Sequence, residues 1–264
     1  MKRFTNILML SLLMTGGLAT RAAEKFYAVI AYMHIPEGQS REEYLALEKL
    51  WQRLHEKAVD TGFCHAWYLN RVENGGRNHF VTVELYDSLE KFSNRWPESL
   101  RAGLYNSEEN EKMGKTGQTR VLTQQEIWRI EASVMKSQDD GTLLPIQVDF
   151  IKPKPGQYGK YHAMERDLYQ KIHKARIDAG QMQSWVFLRR MLPGGADTEF
   201  SFVTFNSFPE KRGSWDNKVA QAALTKEEWD NKPRLSDVRS VVRQEIWHPV
   251  LRTTPAKEKI AALK

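Results

Sequence analysis

Two histidines at matching places in two predicted helices are the residues best suited to chemistry. His55 follows Trp51 by four positions and His173 follows Tyr169 by four, so an aromatic ring and an imidazole share a face of each helix. An imidazole titrates near neutral pH and can act as an acid, a base or a metal ligand. The same pattern also suits a histidine that closes a structural hydrogen bond on a half-buried helix face.

Carboxylates lie on the same two helices. Glu48, seven residues before His55, falls almost in line with it along the helix, whereas Glu165, eight residues before His173, is rotated further round. A carboxylate beside a histidine is an arrangement typical of acid–base catalysis. We therefore take these four residues as candidate catalytic residues, and the structural interpretation stays open beside the catalytic one.

The tetrapeptide Gln-Glu-Ile-Trp occurs twice, at residues 125–128 and 244–247, in segments that are predicted to be strands. A glutamate that faces a pocket can have a raised pKa and act as a base. The alternative is a seam between two halves of the protein, in which tryptophan packs and glutamate pairs with an arginine of the other half. Strand alternation places three side chains of each copy on one face: Arg120, Glu126 and Trp128, and likewise Arg239, Glu245 and Trp247.

The tetrapeptide belongs to an internal repeat with a period near 119 residues. Further upstream the offset is 118 and then 117, and we expect these one-residue slips at a helix end or a β-bulge. At offset 119 the matched pairs include Arg71 and Arg190, Gly75 and Gly194, Gly76 and Gly195, Ser88 and Ser207, Trp96 and Trp215, and Arg120 and Arg239. At offset 118 they are His55 and His173, and Trp67 and Trp185; at 117 they are Tyr44 and Tyr161, and Glu48 and Glu165.

Each copy of the repeat predicts the order strand, helix, strand, strand, helix, strand. The first helix has Ser40 as its N-cap and Glu43 in a capping box, and a second, less regular helical region begins near Ser88 and Ser207. The predicted strands span 25–35, 63–72, 78–86 and 119–130, then 144–151, 181–191, 198–205 and 238–250, and the first helices span 40–61 and about 159–179.

This element order is the ferredoxin-like arrangement, in which both helices cover one face of a four-stranded sheet. The bare face must be covered, and the second copy is the obvious cover. The chain therefore resembles a fused, single-chain form of the dimeric α/β-barrel superfamily, including exported bacterial proteins of that class with no assigned function. We predict an α+β fold of two tandem ferredoxin-like (βαββαβ) units, residues 23–135 and 140–250, packed sheet to sheet and followed by a tail over 251–264.

The same resemblance makes haem a candidate cofactor. Chlorite-dismutase-like and dye-decolourising-peroxidase-like proteins are built from the same doubled unit and hold haem through a histidine on a helix. The second unit normally carries the haem in those relatives, so the resemblance implies His173 as the ligand, with Arg189, Arg190 or Arg239 as partners. The distal motif of the peroxidases is missing, and our main expectation is a protein without a cofactor.

Repeated aromatic residues supply candidate ligand contacts. In the superfamily, pockets commonly lie between the helices and the sheet of a unit, although repeated tryptophans at equivalent places also suit a packed core. The candidate ligand-binding residues are Trp67, Trp185, Trp51, Tyr169, Glu126, Glu245, Arg120 and Arg239.

The first 22 residues have the form of a secretory signal peptide. Lys2 and Arg3 precede an apolar run over 7–14, and small residues follow, with cleavage predicted between Ala19 and Ala22. The apolar run is far shorter than the roughly 20 residues that span a bilayer, so we expect no permanent membrane anchor. The prediction is an exported protein, periplasmic or secreted.

Composition excludes several functional classes. The chain has 264 residues, 41% of them hydrophobic, as in an ordinary globular protein, and its one cysteine, Cys64, excludes an internal disulfide framework and a multi-cysteine metal site. The formal net charge is +6, with both signs interspersed, and we expect no nucleic-acid partner.

These observations favour an exported protein that binds a small apolar or aromatic ligand. The alternatives are a cofactor-free oxygenase-like or isomerase-like enzyme that uses His55 or His173, a haem-binding protein, and a structural or assembly module. Neither a reaction nor a choice between monomer and homo-oligomer follows from the sequence.

Overall fold

The computed structural model describes residues 26–74, 79–94, 96–136, 144–195, 198–209 and 216–253. The predicted signal peptide lies outside the described residues, and so do Gly75, Gly76, Trp215 and most of the predicted tail.

The described elements follow the predicted order in each half of the chain, with several short helices between the third and fourth strands. The first half contains β1 (Tyr27–His34), α1 (Arg41–Asp60), β2 (Ala66–Val72), β3 (His79–Tyr86), α2 (Leu89–Ser93), α3 (Glu98–Arg101), α4 (Ser107–Gly114), α5 (Thr116–Thr119) and β4 (Val121–Met135). The second half contains β5 (Ile146–Pro153), α6 (Tyr158–Met164), a π-helical turn (Glu165–Tyr169), α7 (Gln170–Asp178), β6 (Ser184–Leu192), β7 (Phe202–Ser207), α8 (Asn217–Ala222), α9 (Lys226–Asp230), α10 (Leu235–Val238) and β8 (Arg239–Arg252).

The strands form one closed antiparallel barrel in the order β1-β3-β2-β8-β5-β7-β6-β4. The predicted α+β fold with ferredoxin-like halves is confirmed. The two sheets join along their edges, because the long strands β4 and β8 each pair with a strand of the other half, β6 and β2 respectively. We call these two contacts the seams of the barrel. Closure removes free sheet edges, which would otherwise invite pairing with other chains.

The barrel interior is an apolar core shared by both halves, and further clusters fill the space between the outer face of the barrel and the helices. Trp128 and Trp247, the tryptophans of the repeated tetrapeptides, are fully buried inside the barrel. The remaining buried members of the interior cluster are Ala28, Ile30, Ala66, Val72, Val81, Val83, Leu85, Val148, Phe150, Leu188, Phe200 and Val203.

Helix α1 begins and ends as its sequence predicts. Ser40 accepts a hydrogen bond from the Glu43 backbone at 3.0 Å while the Glu43 carboxylate accepts from the Ser40 backbone, which satisfies two amides at the helix start. After the helix, Gly62 has a φ of 73°, a backbone conformation that glycine adopts without strain. Among the described helices, none combines the length and apolarity needed to cross a bilayer.

The corresponding helix of the second half contains a wide turn. The π-helical turn Glu165–Tyr169 lies between α6 and α7, and a π-turn accommodates one residue more than an α-helical turn. The repeat offset changes from 117 at Glu165 to 118 at Tyr169, within this turn. For this slip, the predicted place at a helix end or a β-bulge is wrong, because the extra residue lies inside the helix.

The second helical region is confirmed in the first half and differs in the second. Ser88 caps α2 by accepting a hydrogen bond from the Lys91 backbone at 3.2 Å. Ser207 is the last residue of β7, and the described residues directly after it are not helical. The first described helix beyond it is α8, which Asp216 caps, so the predicted capping role of Ser207 is wrong.

Candidate functional site

Two β-bulges determine on which side of the barrel Arg120 and Arg239 lie. The pairing of β4 with β1 shifts register at Thr123, and the pairing of β8 with β5 shifts at the equivalent residue, Val242. A bulge adds one residue to a strand and so reverses the alternation of side chains on either side of it. Arg120 and Arg239 consequently lie outside the barrel, against the helices. The prediction that they share a face with the glutamates of the tetrapeptides is wrong for this reason.

Outside the barrel in the first half, Arg120 meets the buried carboxylate of α1. Its Nη1 donates a hydrogen bond to Glu48 Oε1 at 2.5 Å, and its guanidinium lies 4.8 Å from the centre of the Trp51 ring. Glu48 is fully buried, which raises its pKa, while the charge of Arg120 opposes that rise. The arrangement anchors α1 to the beginning of β4.

His55 is packed among aromatic rings in the same cluster. Its ring stacks on Trp67 with centroids 4.9 Å apart and meets the edge of Trp96 at 4.9 Å, and the residue is only 2% exposed. Nδ1 lies 2.7 Å from the carbonyl oxygen of Trp51, the position of a hydrogen-bond donor. Nε2 lies 3.6 Å from Glu84 Oε1, a carboxylate on β3 that the sequence did not single out. The hydrogen bond to its own helix is what the structural interpretation predicts.

In the second half, the π-turn carries the equivalent carboxylate. Burial raises the pKa of Glu165 to about 7, against the lowering effects of the Tyr161 hydroxyl and of Arg239. Because the wide turn absorbs the extra residue, Glu165 and His173 are both buried against the sheet. The prediction that Glu165 is rotated away from the histidine is wrong, because it assumed an uninterrupted α-helix.

His173 stacks on Trp185 with centroids 4.9 Å apart, as His55 does on Trp67. Its Nδ1 lies 3.3 Å from the sulfur of Met182. Burial lowers the pKa of His173 to about 3, and the nearby charges of two arginines act in the same direction. The imidazole is therefore neutral over the physiological pH range.

A cavity of about 440 Å³ opens at the end of the barrel where β6 ends and where β4 and β8 begin. We call this end the barrel mouth. The lining combines two arginines, an aromatic ring and a glycine-containing loop between β6 and β7. The lining residues are Gln124, Arg190, Pro193, Gly194, Gly195, Thr198, Glu199, Phe200 and Arg243.

Arg190 is the most buried charged group in the lining, with 9% of its side chain exposed. One terminal nitrogen, Nη2, donates to Glu126 Oε1 at 2.6 Å, and the guanidinium lies 4.7 Å from the centre of the Phe200 ring. Its Nε is buried and donates to no acceptor among the described residues. A buried donor without an acceptor is destabilising, and a bound ligand can supply the missing acceptor.

Glu126 lies beneath the cavity, fully buried inside the barrel. It accepts hydrogen bonds from Gln124 at 2.5 Å, from Arg190, and from the Trp128 indole at 3.0 Å. Burial raises its pKa, and the charge of Arg190 opposes the rise. Since Arg190 belongs to β6, this pair joins the two halves across one seam, as the seam interpretation of the tetrapeptide predicts.

The second tetrapeptide departs from the seam interpretation, because the arginine beside its glutamate, Arg243, belongs to the same strand and not to the other half. Glu245 accepts a hydrogen bond from the Trp247 indole at 2.7 Å and a long one from the Tyr32 hydroxyl at 3.4 Å. Arg243 Nε lies 3.2 Å from Glu245 Oε1, and its guanidinium stacks 4.0 Å from the centre of the Phe150 ring. Burial raises the pKa of Tyr32, and the charge of Glu245 adds to the rise.

The structure thus divides the predicted site residues between two places. Glu126 and Glu245 lie in the barrel interior beside the cavity, whereas the two histidines, Arg120 and Arg239 lie outside the barrel in packed clusters. Trp67 and Trp185 are at most 1% exposed and stack on the histidines.

Six lining residues were not singled out from the sequence, and they include Gln124, Arg243 and Phe200. A signal for the first two was present, because each directly precedes a copy of the repeated tetrapeptide. Phe200 follows a loop and carries no comparable pattern. In the described part of the chain, no group of three or more His, Cys, Asp or Glu side chains could hold a metal ion.

Comparison with known proteins supports the fold. No protein-family model matches the chain, and no curated protein matches it. A proposed monooxygenase from Lactobacillus acidophilus NCFM is similar in structure, with 10% identity, coverage of 88% of this chain and 97% of that one, and a TM-score of 0.51. At these low identities the likeness concerns the fold alone.

Two further solved structures align with lower scores. One is a haem-binding protein from Thermus thermophilus, with 7% identity, coverage of 90% of this chain and 95% of that one, and a TM-score of 0.46. The other is a variant chlorite dismutase from Candidatus Nitrospira defluvii, with 9% identity, coverage of 90% and 94%, and a TM-score of 0.47.

Proposed function

We propose that this chain is an exported protein that binds a small molecule in the barrel mouth through a carboxylate of the ligand. The observation that carries the proposal is Arg190, which is nine-tenths buried, lines a cavity of about 440 Å³ and keeps a buried Nε without an acceptor among the described residues. Export rests on the predicted signal peptide, and cell fractionation of the full chain tests it separately.

The cavity has the properties of a small-molecule site. Its volume lies in the range of ligand pockets, which combine apolar walls with a few placed polar groups. Phe200 supplies an aromatic wall, and Arg190 and Arg243 supply guanidinium donors, whose planar geometry matches a carboxylate. This combination suits an organic acid with an apolar or aromatic body.

The charge balance beneath the cavity also permits an anion. Glu126 accepts one hydrogen bond from Arg190, and burial raises the pKa of this glutamate. A ligand carboxylate near Arg190 raises that pKa further, because it adds a second negative charge. Glu126 can then take up a proton and leave the guanidinium to the ligand.

The residues around His173 do not fit haem. Haem ligation needs a histidine nitrogen aimed into a space as wide as a porphyrin, but His173 is 6% exposed and one face of its ring is covered by Trp185. Met182 lies against Nδ1. We therefore derive no function from haem, and the expectation of a protein without a cofactor stays a proposal.

Calorimetric titration of the mature chain with benzoate tests the proposed function. We expect saturable binding that weakens by about tenfold or more in Arg190→Gln, the loss of one charged hydrogen bond. Arg189→Gln is the matched control, since Arg189 is the preceding residue of β6 and bonds Glu131 outside the cavity. No binding by the intact protein, or equal loss in both variants, contradicts the proposal.

A further inference from the structure

The barrel mouth is surrounded by exposed aliphatic side chains. Large apolar residues that are exposed are otherwise scarce in the described part of the chain: five of the six lie at this end, and the sixth is Tyr158. The five, which we call the apolar rim, are Val121, Leu122, Leu192, Val241 and Val242, with exposed fractions of 39%, 54%, 54%, 46% and 37%.

The rim is continuous in sequence with the lining of the cavity. Leu192 directly precedes Pro193, and Val242 directly precedes Arg243, and both of these neighbours line the cavity. Leu122 lies two residues before Gln124, which also lines it. An apolar surface therefore begins where the arginine-lined cavity reaches solvent.

The β-bulges create this juxtaposition. Val242 is the extra residue of the β8 bulge, and the alternation changes there, so Arg243 is turned into the barrel while the two valines before it stay exposed. The β4 bulge at Thr123 likewise turns Gln124 into the barrel while Leu122 stays exposed. Irregularities at equivalent places in two strands thus combine a polar cavity with an apolar rim.

We infer that the ligand is an amphiphilic carboxylate, a carboxylate head with an unbranched aliphatic chain, whose head lies at Arg190 and whose chain lies over the apolar rim. This inference rests on the proposed function. Exposed aliphatic residues carry an unfavourable hydration free energy that a ligand chain removes when it covers them. The cavity is wide enough for the head and the first carbons, and the rim receives the carbons beyond them.

The dependence of affinity on the length of the ligand's aliphatic chain tests the inference. We would titrate the mature chain with hexanoate, octanoate and decanoate below their micellar concentrations, alongside benzoate. Burying one CH₂ group fully contributes about 0.8 kcal/mol, which is close to a fourfold gain in affinity. A CH₂ group that is only half covered gives about a twofold gain. From hexanoate to decanoate we therefore expect a gain on the order of tenfold.

Variants of the apolar rim separate the contribution of the ligand's aliphatic chain to affinity from that of its carboxylate head. In Leu192→Ser/Val242→Thr we expect benzoate affinity to stay within about twofold while most of the gain from hexanoate to decanoate is lost. Val219→Thr, on helix α8, is the control and leaves the gain intact. Both variants alter exposed or half-exposed side chains, and circular dichroism checks that the fold is retained.

The outcomes distinguish the two proposals. If benzoate and hexanoate bind but longer chains gain nothing, the amphiphile inference is wrong and the proposed function stands. If none of the four acids binds, the proposed function is wrong and the inference falls with it. If light scattering shows a dimer that the rim variant breaks, without any dependence on chain length, the rim is an interface between copies and the inference is overturned.

Discussion

Arg120, the residue just before β4, donates a hydrogen bond to Glu48 in the middle of α1, at 2.5 Å. The carboxylate is fully buried and the guanidinium is mostly buried, with 17% of its side chain exposed. Such a pair stabilises a fold weakly as a whole, yet removing one partner is strongly destabilising because the other charge is left buried.

Replacing the arginine therefore leaves the Glu48 carboxylate buried without its partner. We expect Arg120→Met to lower the free energy of unfolding by about 3 kcal/mol, and more at pH 8 than at pH 5, where Glu48 can protonate. Urea unfolding followed by circular dichroism measures this. The double variant Glu48→Leu/Arg120→Met should recover most of the loss, and Lys112→Met, which breaks an exposed pair on α4, should change little. A loss as large in the double variant as in the single one contradicts the account.

The π-turn gives the second long helix a residue that α1 lacks. Deleting Asp167, an exposed residue of that turn, converts the spacing of the buried residues to that of α1. We expect the deletion variant to unfold cooperatively with a melting temperature close to that of the parent. Deleting Lys49, an exposed residue of α1, should instead disrupt the fold, because it rotates all later residues of that helix by about 100°. Equal damage from both deletions argues against the interpretation of the π-turn.

Glu165 makes the stability depend on pH. Its folded pKa, about 7, is raised above the ordinary value because burial penalises the charged form. A raised carboxyl pKa stabilises the fold fully below the unfolded pKa, and this contribution is lost as pH rises through the folded pKa. We expect the parent to lose about 2.5 kcal/mol more than Glu165→Gln between pH 5 and pH 8. Parallel stability curves for the two proteins contradict a raised pKa at this residue.

Ligand binding in the barrel mouth should be linked to proton uptake. A carboxylate near Arg190 raises the already elevated pKa of Glu126, so the complex binds more protons than the free protein. Benzoate affinity should therefore be higher at pH 6 than at pH 8. Calorimetry in phosphate and in Tris should give different binding enthalpies, since the two buffers release protons with different heats, and Glu126→Gln should remove the difference. Identical enthalpies for the parent in both buffers contradict the linkage.

Hydrophobic periodicity and the internal repeat were sufficient to predict the architecture. The strand and helix order, the Ser40 cap and the glycine after α1 follow from local rules, and the repeated order implied a second sheet to cover the first. The closure of the barrel along seams depends on β4 and β8 extending past their own sheets, a property of tertiary pairing that no local pattern carries.

The candidate site was only partly predictable. The repeat singled out the glutamates of the tetrapeptides, which hydrogen-bond beside the cavity, but it could not show that bulges at Thr123 and Val242 turn Arg120 and Arg239 outward. Alternation assumes a regular strand, and helix periodicity assumes 3.6 residues per turn, so both rules fail where a bulge or a π-turn adds a residue. The cavity combines Gln124 and Arg243 with Arg190 and Phe200, which lie on distant segments.

In the proposed complex, Arg190 Nε donates a hydrogen bond to a ligand carboxylate in the barrel mouth. Nitrogen-15 NMR of arginine Nε groups during a benzoate titration tests it most directly, with the Arg190 signal assigned by its absence from Arg190→Gln. We expect a saturable shift of the Arg190 signal, while the signal of Arg189, on the opposite face of β6, stays in place. A stationary Arg190 signal at saturating benzoate, or equal shifts of both arginines, contradicts the claim.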